Sequence, residues 1–360
     1  MPPIRIAILQ PLIPHYRENF FKGIADKYPT AIYCYDNKSA DKQNFKMGNI
    51  GCVNIKKVSF GPILCYNLFA LLKKEYTHII LPLHFGHLMS WALLILKKIH
   101  GKKIITWGHG ISVKRYLQEE KRPDRKLLWM MSLSDCVWFY TSKELDLNKT
   151  HLPSLPGIAI GNTISEVNRI IDLPLLNKPD LKKKYRIRQE VVLIYCARFV
   201  SSDRRTDLML NVMDALDKER FGFIVIGDGA LKPDFSLYSN VYDFGAVYDF
   251  NLKSELFQIA DIYFQPGWIG LSVVEAMAYG KAIFTFKRSR DIKQCVEYNY
   301  VIESEGGFIF HSVAEMINHL NNIEMPAIAQ LGKNAQNYVR DYLTMDKMVV
   351  RALSYFDDES

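Results

Sequence analysis

Phe264-Gln-Pro-Gly-Trp-Ile-Gly-Leu-Ser-Val-Val-Glu-Ala-Met-Ala-Tyr-Gly-Lys-Ala-Ile-Phe-Thr285 decides how the chain is read. An apolar strand end runs into a Pro/Gly-rich loop, and the loop opens a helix with Glu275 in its first turn. The first amides of a helix lack an intrahelical partner and sit at the positive end of its dipole, which suits a phosphate. A carboxylate beside them can accept two hydrogen bonds from vicinal sugar hydroxyls. A second reading of Glu275 stays open. Ser272-Val-Val-Glu275 has the spacing of a capping box, which would fold the carboxylate back onto the helix start. Gly267 and Gly270 favour the ligand reading, because a residue without Cβ lets a ligand approach the backbone. Gly280 fits a helix stop.

Outward from this stretch, short apolar runs alternate with helical periodicity. Strands are expected at 4–9, 30–35, 77–83, 103–107 and 136–140, with helices between them, among them 63–74 and 88–100. A polar stretch rich in Pro and Lys runs up to Gln189 and reads as a junction. A second series follows, with strands at 191–197, 221–226, 241–245, 262–265 and 282–286 and helices at 206–216, 253–260 and 271–279. The pattern predicts an α/β chain of two Rossmann-like, doubly wound domains facing across a cleft. The expected bounds are 1–170 and 171–340, with the end of one long helix near 327–355, residues 341–360, crossing back to the first domain. A chain of 360 residues with 49% apolar content can fill two cores.

Charge is uneven. Residues 1–180 hold 25 Lys and Arg against 14 Asp and Glu, and the remainder holds 21 against 24. An anionic partner therefore suits the first half. Basic pairs such as Lys97-Lys98 and Lys102-Lys103 are candidates for an anionic membrane surface, although solvated helix ends give the same pattern. The positive charge is scattered and no recognition motif accompanies it, which argues against nucleic acid. The six cysteines lie far apart, without a CxxC pair and partly inside apolar runs, as buried thiols of a reducing, cytoplasmic compartment do. The apolar stretch around 88–96 is about half a membrane span, so any membrane contact, at the inner face of the cytoplasmic membrane, is expected to be peripheral. His84 and His87 have no third ligand nearby and make a weak metal signal; no metal is expected.

Ligands of doubly wound sheets bind at the carboxyl ends of the strands. His109 lies there between Gly108 and Gly110, and its flanks argue for exposure in a cleft. Arg198 follows the strand 191–197, and Asp203-Arg204-Arg205 precedes a helix. Arginine forks suit a departing diphosphate, whereas an exposed basic turn would explain them equally. Gly227-Asp-Gly229 and Phe244-Gly-Ala-Val247 complete the set; each is by itself uninformative.

Taken in order, Ala197-Arg-Phe199 with Arg204, Ile226-Gly-Asp-Gly229, Phe244-Gly-Ala-Val247 and Gly270-Leu-Ser-Val-Val-Glu-Ala-Met-Ala-Tyr-Gly-Lys-Ala-Ile283 resemble the nucleotide-sugar domain of GT-B glycosyltransferases of family four. Order and spacing match over about 191–285. Pro14-His-Tyr-Arg-Glu-Asn-Phe20, Trp107-Gly-His-Gly110 and residues 157–162 match more loosely. The resemblance implies a GT-B fold and retaining, metal-independent transfer from a nucleoside-diphosphate sugar to a glycan or lipid-linked glycan acceptor, with no cofactor beyond the donor. It also implies a role in cell-surface glycan assembly. By resemblance, Glu275 would bind the ribose hydroxyls, and Arg198 and Arg204 would neutralise the diphosphate. Gly245 and Val247 would read the base, His109 would contact the transferred sugar, and Gly270, Leu271 and Ser272, with Gly267, would lie along the donor.

Three positions depart from the family pattern. Gly267 stands where a second Glu is usual, Asp203 or Arg204 where a Lys is usual, and Pro11-Leu-Ile-Pro14 replaces a Gly-rich loop. Two other classes remain in view at this stage. A nucleotide-sugar epimerase of the same architecture would need no acceptor. A catalytically impaired partner of another glycosyltransferase would suit the missing Glu.

Overall fold

The computed structural model describes residues 3–36 and 50–357. The chain divides into two units, residues 1–165 with 344–360, and residues 166–343.

In the first unit the strands are β1 (Ile6–Gln10), β2 (Thr30–Cys34), β3 (Val53–Asn54), β4 (Lys57–Phe60), β5 (Ile63–Tyr66), β6 (His78–Pro82), β7 (Lys103–Gly108), β8 (Cys136–Phe139) and β9 (Gly157–Ala159). Seven of them form a parallel sheet in the order β3-β2-β1-β6-β7-β8-β9. The central strand β1 is apolar without alternation because both of its faces are covered. Ile6 and Ile8 enter a core with Phe20, Trp107 and Trp138; Ala7 and Leu9 enter another with Leu81, Leu93 and Met130.

Residues 63–74 are not the expected helix. Gly61, with φ +58°, turns the chain so that β5 pairs antiparallel with β4, and Asn67 then caps a short 3-10 turn at Leu68–Ala70. A hairpin partner outcompetes the helical periodicity, which residues 63–74 taken alone cannot reveal.

The second unit holds β10 (Val191–Cys196), β11 (Phe221–Ile226), β12 (Val241–Asp243), β13 (Ile262–Phe264), β14 (Ala282–Phe286) and β15 (Gly307–Phe310). Their order is β12-β11-β10-β13-β14-β15, all parallel. The stretch that reads as a junction carries two short helices, Val167–Ile171 and Lys178–Lys184, the second capped by Asn177. The single long final helix is two helices, Met325–Tyr342 and Met345–Asp357. Thr344 makes the break, because its Oγ1 accepts from the Lys347 amide and starts a new helix. Met345, Met348, Ala352 and Phe356 then pack into the first unit's core, beside Phe20 and Trp138.

His84 and His87 lie with ring centroids 4.7 Å apart, but among the described residues no three His, Cys, Asp or Glu side chains form a metal-holding group. Burial, with the His84 charge second, lowers the His87 pKa from 6.5 to about 4. The unfolded imidazole therefore takes up a proton that the folded one refuses, so stability is full above about pH 6.5 and is lost as the pH falls toward about 4. Urea unfolding across this window is expected to show a loss of up to about 3 kcal/mol that His87→Gln largely removes. An unchanged pH slope in that variant would contradict the assignment.

Candidate functional site

The ends of β12, β11, β10 and β13 stand side by side on one edge of the second sheet. After β10 come Ala197 and Arg198, after β11 Gly227-Asp-Gly229, after β12 Gly245, and after β13 residues 265–270. Backbone hydrogen bonds join these breaks. The Gly227 amide donates to the Gly245 carbonyl at 2.7 Å, and the Phe199 amide to the Asp228 carbonyl at 2.9 Å. Gly227 and Gly229, at φ +150° and +146°, lie under residues 197–199: a Cβ would stand 2.1 Å from the Ala197 carbonyl oxygen and 2.4 Å from that of Phe199. The pair is needed for this close passage rather than for a simple turn.

The loop after β13 is fixed from below by side-chain amides. Gln265, Thr285 and Gln294 are fully buried. Gln265 Nε2 donates to the carbonyls of Gly267 and Trp268 at 3.0 and 2.6 Å, and Gln294 Nε2 to that of Pro266 at 3.3 Å. Gln294 Oε1 accepts from the Ile269 amide at 2.8 Å. Arg204 Nη1 donates to the Trp268 carbonyl at 2.9 Å. This satisfaction of backbone groups holds Trp268 at φ +51°, outside the usual range of a bulky residue.

Gly267 has a steric reason. A Cβ there would meet the Asp203 carbonyl oxygen at 2.5 Å and Arg205 Cγ at 3.0 Å. The acidic residue usual at this position in the resembled family has no room on this backbone. Gly270 and Gly245 differ, since a Cβ at either would meet nothing within 4 Å. Among the described residues the amides of Gly270 and Leu271 have no acceptor, while the Val273, Val274 and Glu275 amides bond back to Gly270 and Leu271. Val247 is partly buried beyond Gly245.

The capping box does not form. Ser272 is the first residue of the helix Ser272–Ala278, and its Oγ meets Tyr263 Oη at 2.9 Å and Gln265 Oε1 at 3.1 Å. Glu275 turns instead to Lys253, with Oε1 and Nζ 2.6 Å apart and side chains 12% and 23% exposed. Lys253, in the helix Phe250–Ile259, escapes sequence reasoning, because 21 intervening residues hide the pairing. Burial alone would lower its pKa, but Glu275 and then Cys196 beside it outweigh that and raise it. The Cys196 thiol is pushed up to about 12 by burial and by the Glu275 charge, while Lys253 and Arg204 pull it the other way. Arg204, Lys253 and Glu275 therefore converge on the end of β10. Arg198 is partly buried on the same edge.

Arg205 serves the fold. At φ +52° it precedes the helix Thr206–Ala215 and makes a bidentate pair with Asp207, its Nε at 2.8 Å and Nη2 at 2.6 Å from the carboxylate oxygens. His109 lies in the first unit, partly buried and against Tyr140 with ring centroids 4.8 Å apart. Its glycine flanks follow from packing rather than from an open cleft. A Cβ at Gly108 would stand 2.8 Å from Leu83 Cβ, and one at Gly110, φ +67°, 2.3 Å from the Phe139 ring.

Residues 190–323 match the family described as glycosyl transferases group 1. The match covers most of the second unit, which is similar to that family. No curated protein matches the chain in sequence. A glycosyltransferase from Rickettsia africae ESF-5 is similar in structure, with 15% identity, 99% coverage of both chains and a TM-score of 0.65. So is Anabaena Alr3699/HepE in complex with UDP and glucose, at 15% identity, 98% and 99% coverage and a TM-score of 0.65. WaaG, a glycosyltransferase involved in lipopolysaccharide biosynthesis, is similar at 15% identity, 96% and 98% coverage and a TM-score of 0.58. At such identities the likeness establishes the GT-B fold, two Rossmann-like units, for this chain.

Two variants test the local account. Lys253→Met leaves the Glu275 carboxylate without its ammonium and is expected to cost about 2–3 kcal/mol in chemical unfolding, with Lys253→Arg close to wild type. Gly267→Glu is expected to destabilise by more than about 2 kcal/mol rather than enhance activity; a stable, more active variant would refute the steric reading.

Proposed function

We propose that this glycosyltransferase moves a sugar from a nucleoside-diphosphate sugar to an acceptor hydroxyl, with retention of anomeric configuration, in the assembly of a cell-surface glycan. The observation that carries the reading is the convergence of Glu275, Lys253 and Arg204 on the end of β10, in a domain of the group 1 family. Cleavage of the donor builds positive charge on the sugar and negative charge on the diphosphate. In this reading Arg198 and Arg204 stabilise the diphosphate, and the leaving phosphate accepts the acceptor's proton. The open amides of Gly270 and Leu271 offer donors to sugar or phosphate oxygens. Lys253 holds one oxygen of Glu275 and leaves the other for a ribose hydroxyl. Gly245 and Val247 read the base, and His109 of the first unit is assigned to the transferred sugar. The diphosphate charge is met by arginine, so chelators should leave the rate unchanged.

HepE was solved with UDP and glucose, which makes UDP the first nucleotide to try; the lipopolysaccharide role of WaaG supports a glycan acceptor. A lipid-linked glycan acceptor at an anionic membrane suits the basic first half. Among the described residues no helix is long and apolar enough to cross a membrane.

A thermal-shift panel of UDP, GDP, ADP and TDP tests the donor site. One nucleotide at a hundred times its dissociation constant should add about 2.7 kcal/mol of stability. Glu275→Ala should abolish that gain, and Arg204→Ala should reduce it at least tenfold in affinity. No shift with any nucleotide, or an undiminished shift in Glu275→Ala, would overturn the proposal. Donor epimerised without an acceptor would point to an epimerase instead.

A further inference from the structure

The lysine cluster read from the sequence is not a free basic patch. Lys102 is buried and donates to the carbonyls of Lys73, at 2.8 Å, and Tyr76, at 2.5 Å. Lys97 donates to the Leu133 carbonyl at 2.8 Å and pairs with Asp135 at 3.1 Å. Of the four, Lys98 and Lys103 stay exposed.

What the same region does expose is apolar. The helix Leu88–Ile95 is apolar on both sides, and the short helix Lys97–His100 that follows adds one apolar residue, Ile99. Leu93 and Leu94 are buried in the core, while Leu88, Ile95 and Ile99, on one stripe at helical spacing, face outward, Ile99 at 82% exposure. A helix apolar all round is ordinarily covered on every face. The stripe continues onto neighbouring elements. Trp129 is exposed and lies on Trp91 with ring centroids 4.8 Å apart. Trp91 Nε1 donates to the carbonyl of Phe85 at 2.8 Å, and Phe85 is exposed under the Lys126 ammonium. The β4–β5 hairpin is fastened beside them, through the Leu64 amide to the Gly86 carbonyl at 2.9 Å and Tyr66 Oη to Ser90 Oγ at 2.8 Å. Its tip presents Phe60 at 67% exposure and Ile63.

So many exposed apolar side chains on neighbouring elements are rare on a protein that meets only water. Its chemistry selects the occupant. Aromatic rings border aliphatic side chains; Lys98 stands exposed on the helix Lys97–His100, and Arg125 and Lys126 on the helix Arg125–Ser132 that carries Trp129. Rings with an apolar body suit the headgroup level, and cations beside them suit anionic lipid. We propose that this face of the first unit, the β4–β5 hairpin tip with the outer stripe of residues 88–100 and Trp129, inserts into the headgroup layer of an anionic bilayer. Apolar insertion supplies most of the hold, and Lys98, Arg125 and Lys126 add selectivity for negative lipid. The inference rests on the reading of a lipid-linked acceptor and names the surface that would reach it.

Co-sedimentation of the full chain with vesicles tests it. The vesicles are pure phosphatidylcholine, and a two-to-one mixture of phosphatidylcholine and phosphatidylserine. The wild type is expected to bind the mixed vesicles and to retain most of that binding at high salt, because screening removes only the electrostatic part. Phe60→Ser with Ile99→Ser, both at exposed positions, should weaken binding at least tenfold while keeping the wild-type melting curve. Lys98→Glu with Lys126→Glu should lower binding to the mixed vesicles to about the level seen with phosphatidylcholine and leave binding to phosphatidylcholine itself unchanged. The nucleotide thermal shift, measured on the same variants, should not change, which separates this proposal from the donor-site reading. Absence of wild-type binding to either vesicle would overturn it, as would undiminished binding by the Ser variant. A dimer in sedimentation velocity that the Ser variant dissolves would overturn it too, since the face would then belong to a second copy.

Discussion

The ion pair between Lys253 Nζ and Glu275 Oε1, 2.6 Å long and mostly shielded from water, is the contact on which the proposed donor site depends. A buried carboxylate without a cation beside it would be an uncompensated charge, and Lys253 supplies that cation. With the pair in place, Glu275 is an oriented acceptor at the end of the sheet rather than a helix cap. The pair also explains the thiol at the end of β10: Cys196 is kept protonated by burial and by the neighbouring carboxylate, so it is inert rather than nucleophilic.

Around this pair the backbone is fixed before any ligand arrives. Gln265 and Gln294 take up the polar groups of the loop after β13 from beneath, and Arg204 takes up the Trp268 carbonyl from the side. Rigid support of this sort lets a site bind charge without paying reorganisation at the moment of reaction. It also ties Arg204 to two tasks, since one nitrogen of its fork is committed to the loop. The Asp203 carbonyl pressed against Gly267 is a further part of the same arrangement, and it shows why this chain carries glycine where the resembled family carries an acid.

Much of this was legible in the sequence. The alternation of apolar runs gave both parallel sheets, because strands buried on two faces have to be apolar throughout. The glycine and arginine breaks fell at strand ends as expected. Four features were not legible, each for a physical reason. Residues 63–74 carry helical periodicity, whereas the pairing of β5 depends on a partner strand and on Gly61. The break at Thr344 turned on one hydroxyl in an otherwise continuous helical pattern. Lys253 reached Glu275 only through the packing of two helices. The glycines flanking His109, and those of Gly227-Asp-Gly229, suggested open or tight loops, whereas they mark close contacts with Leu83, Phe139 and residues 197–199. In the first unit, charge counting favoured lysines whose ammonium groups are used internally, and it overlooked the apolar stripe between them.

A crystal structure of the chain soaked with a nucleoside diphosphate examines the central claim most directly. The account predicts the ribose hydroxyls on the free oxygen of Glu275, the phosphates against Arg198, Arg204 and the Gly270 and Leu271 amides, and Lys253 still paired to Glu275. Density for the nucleotide elsewhere, or an edge of β10–β13 left vacant at saturating ligand, would contradict it.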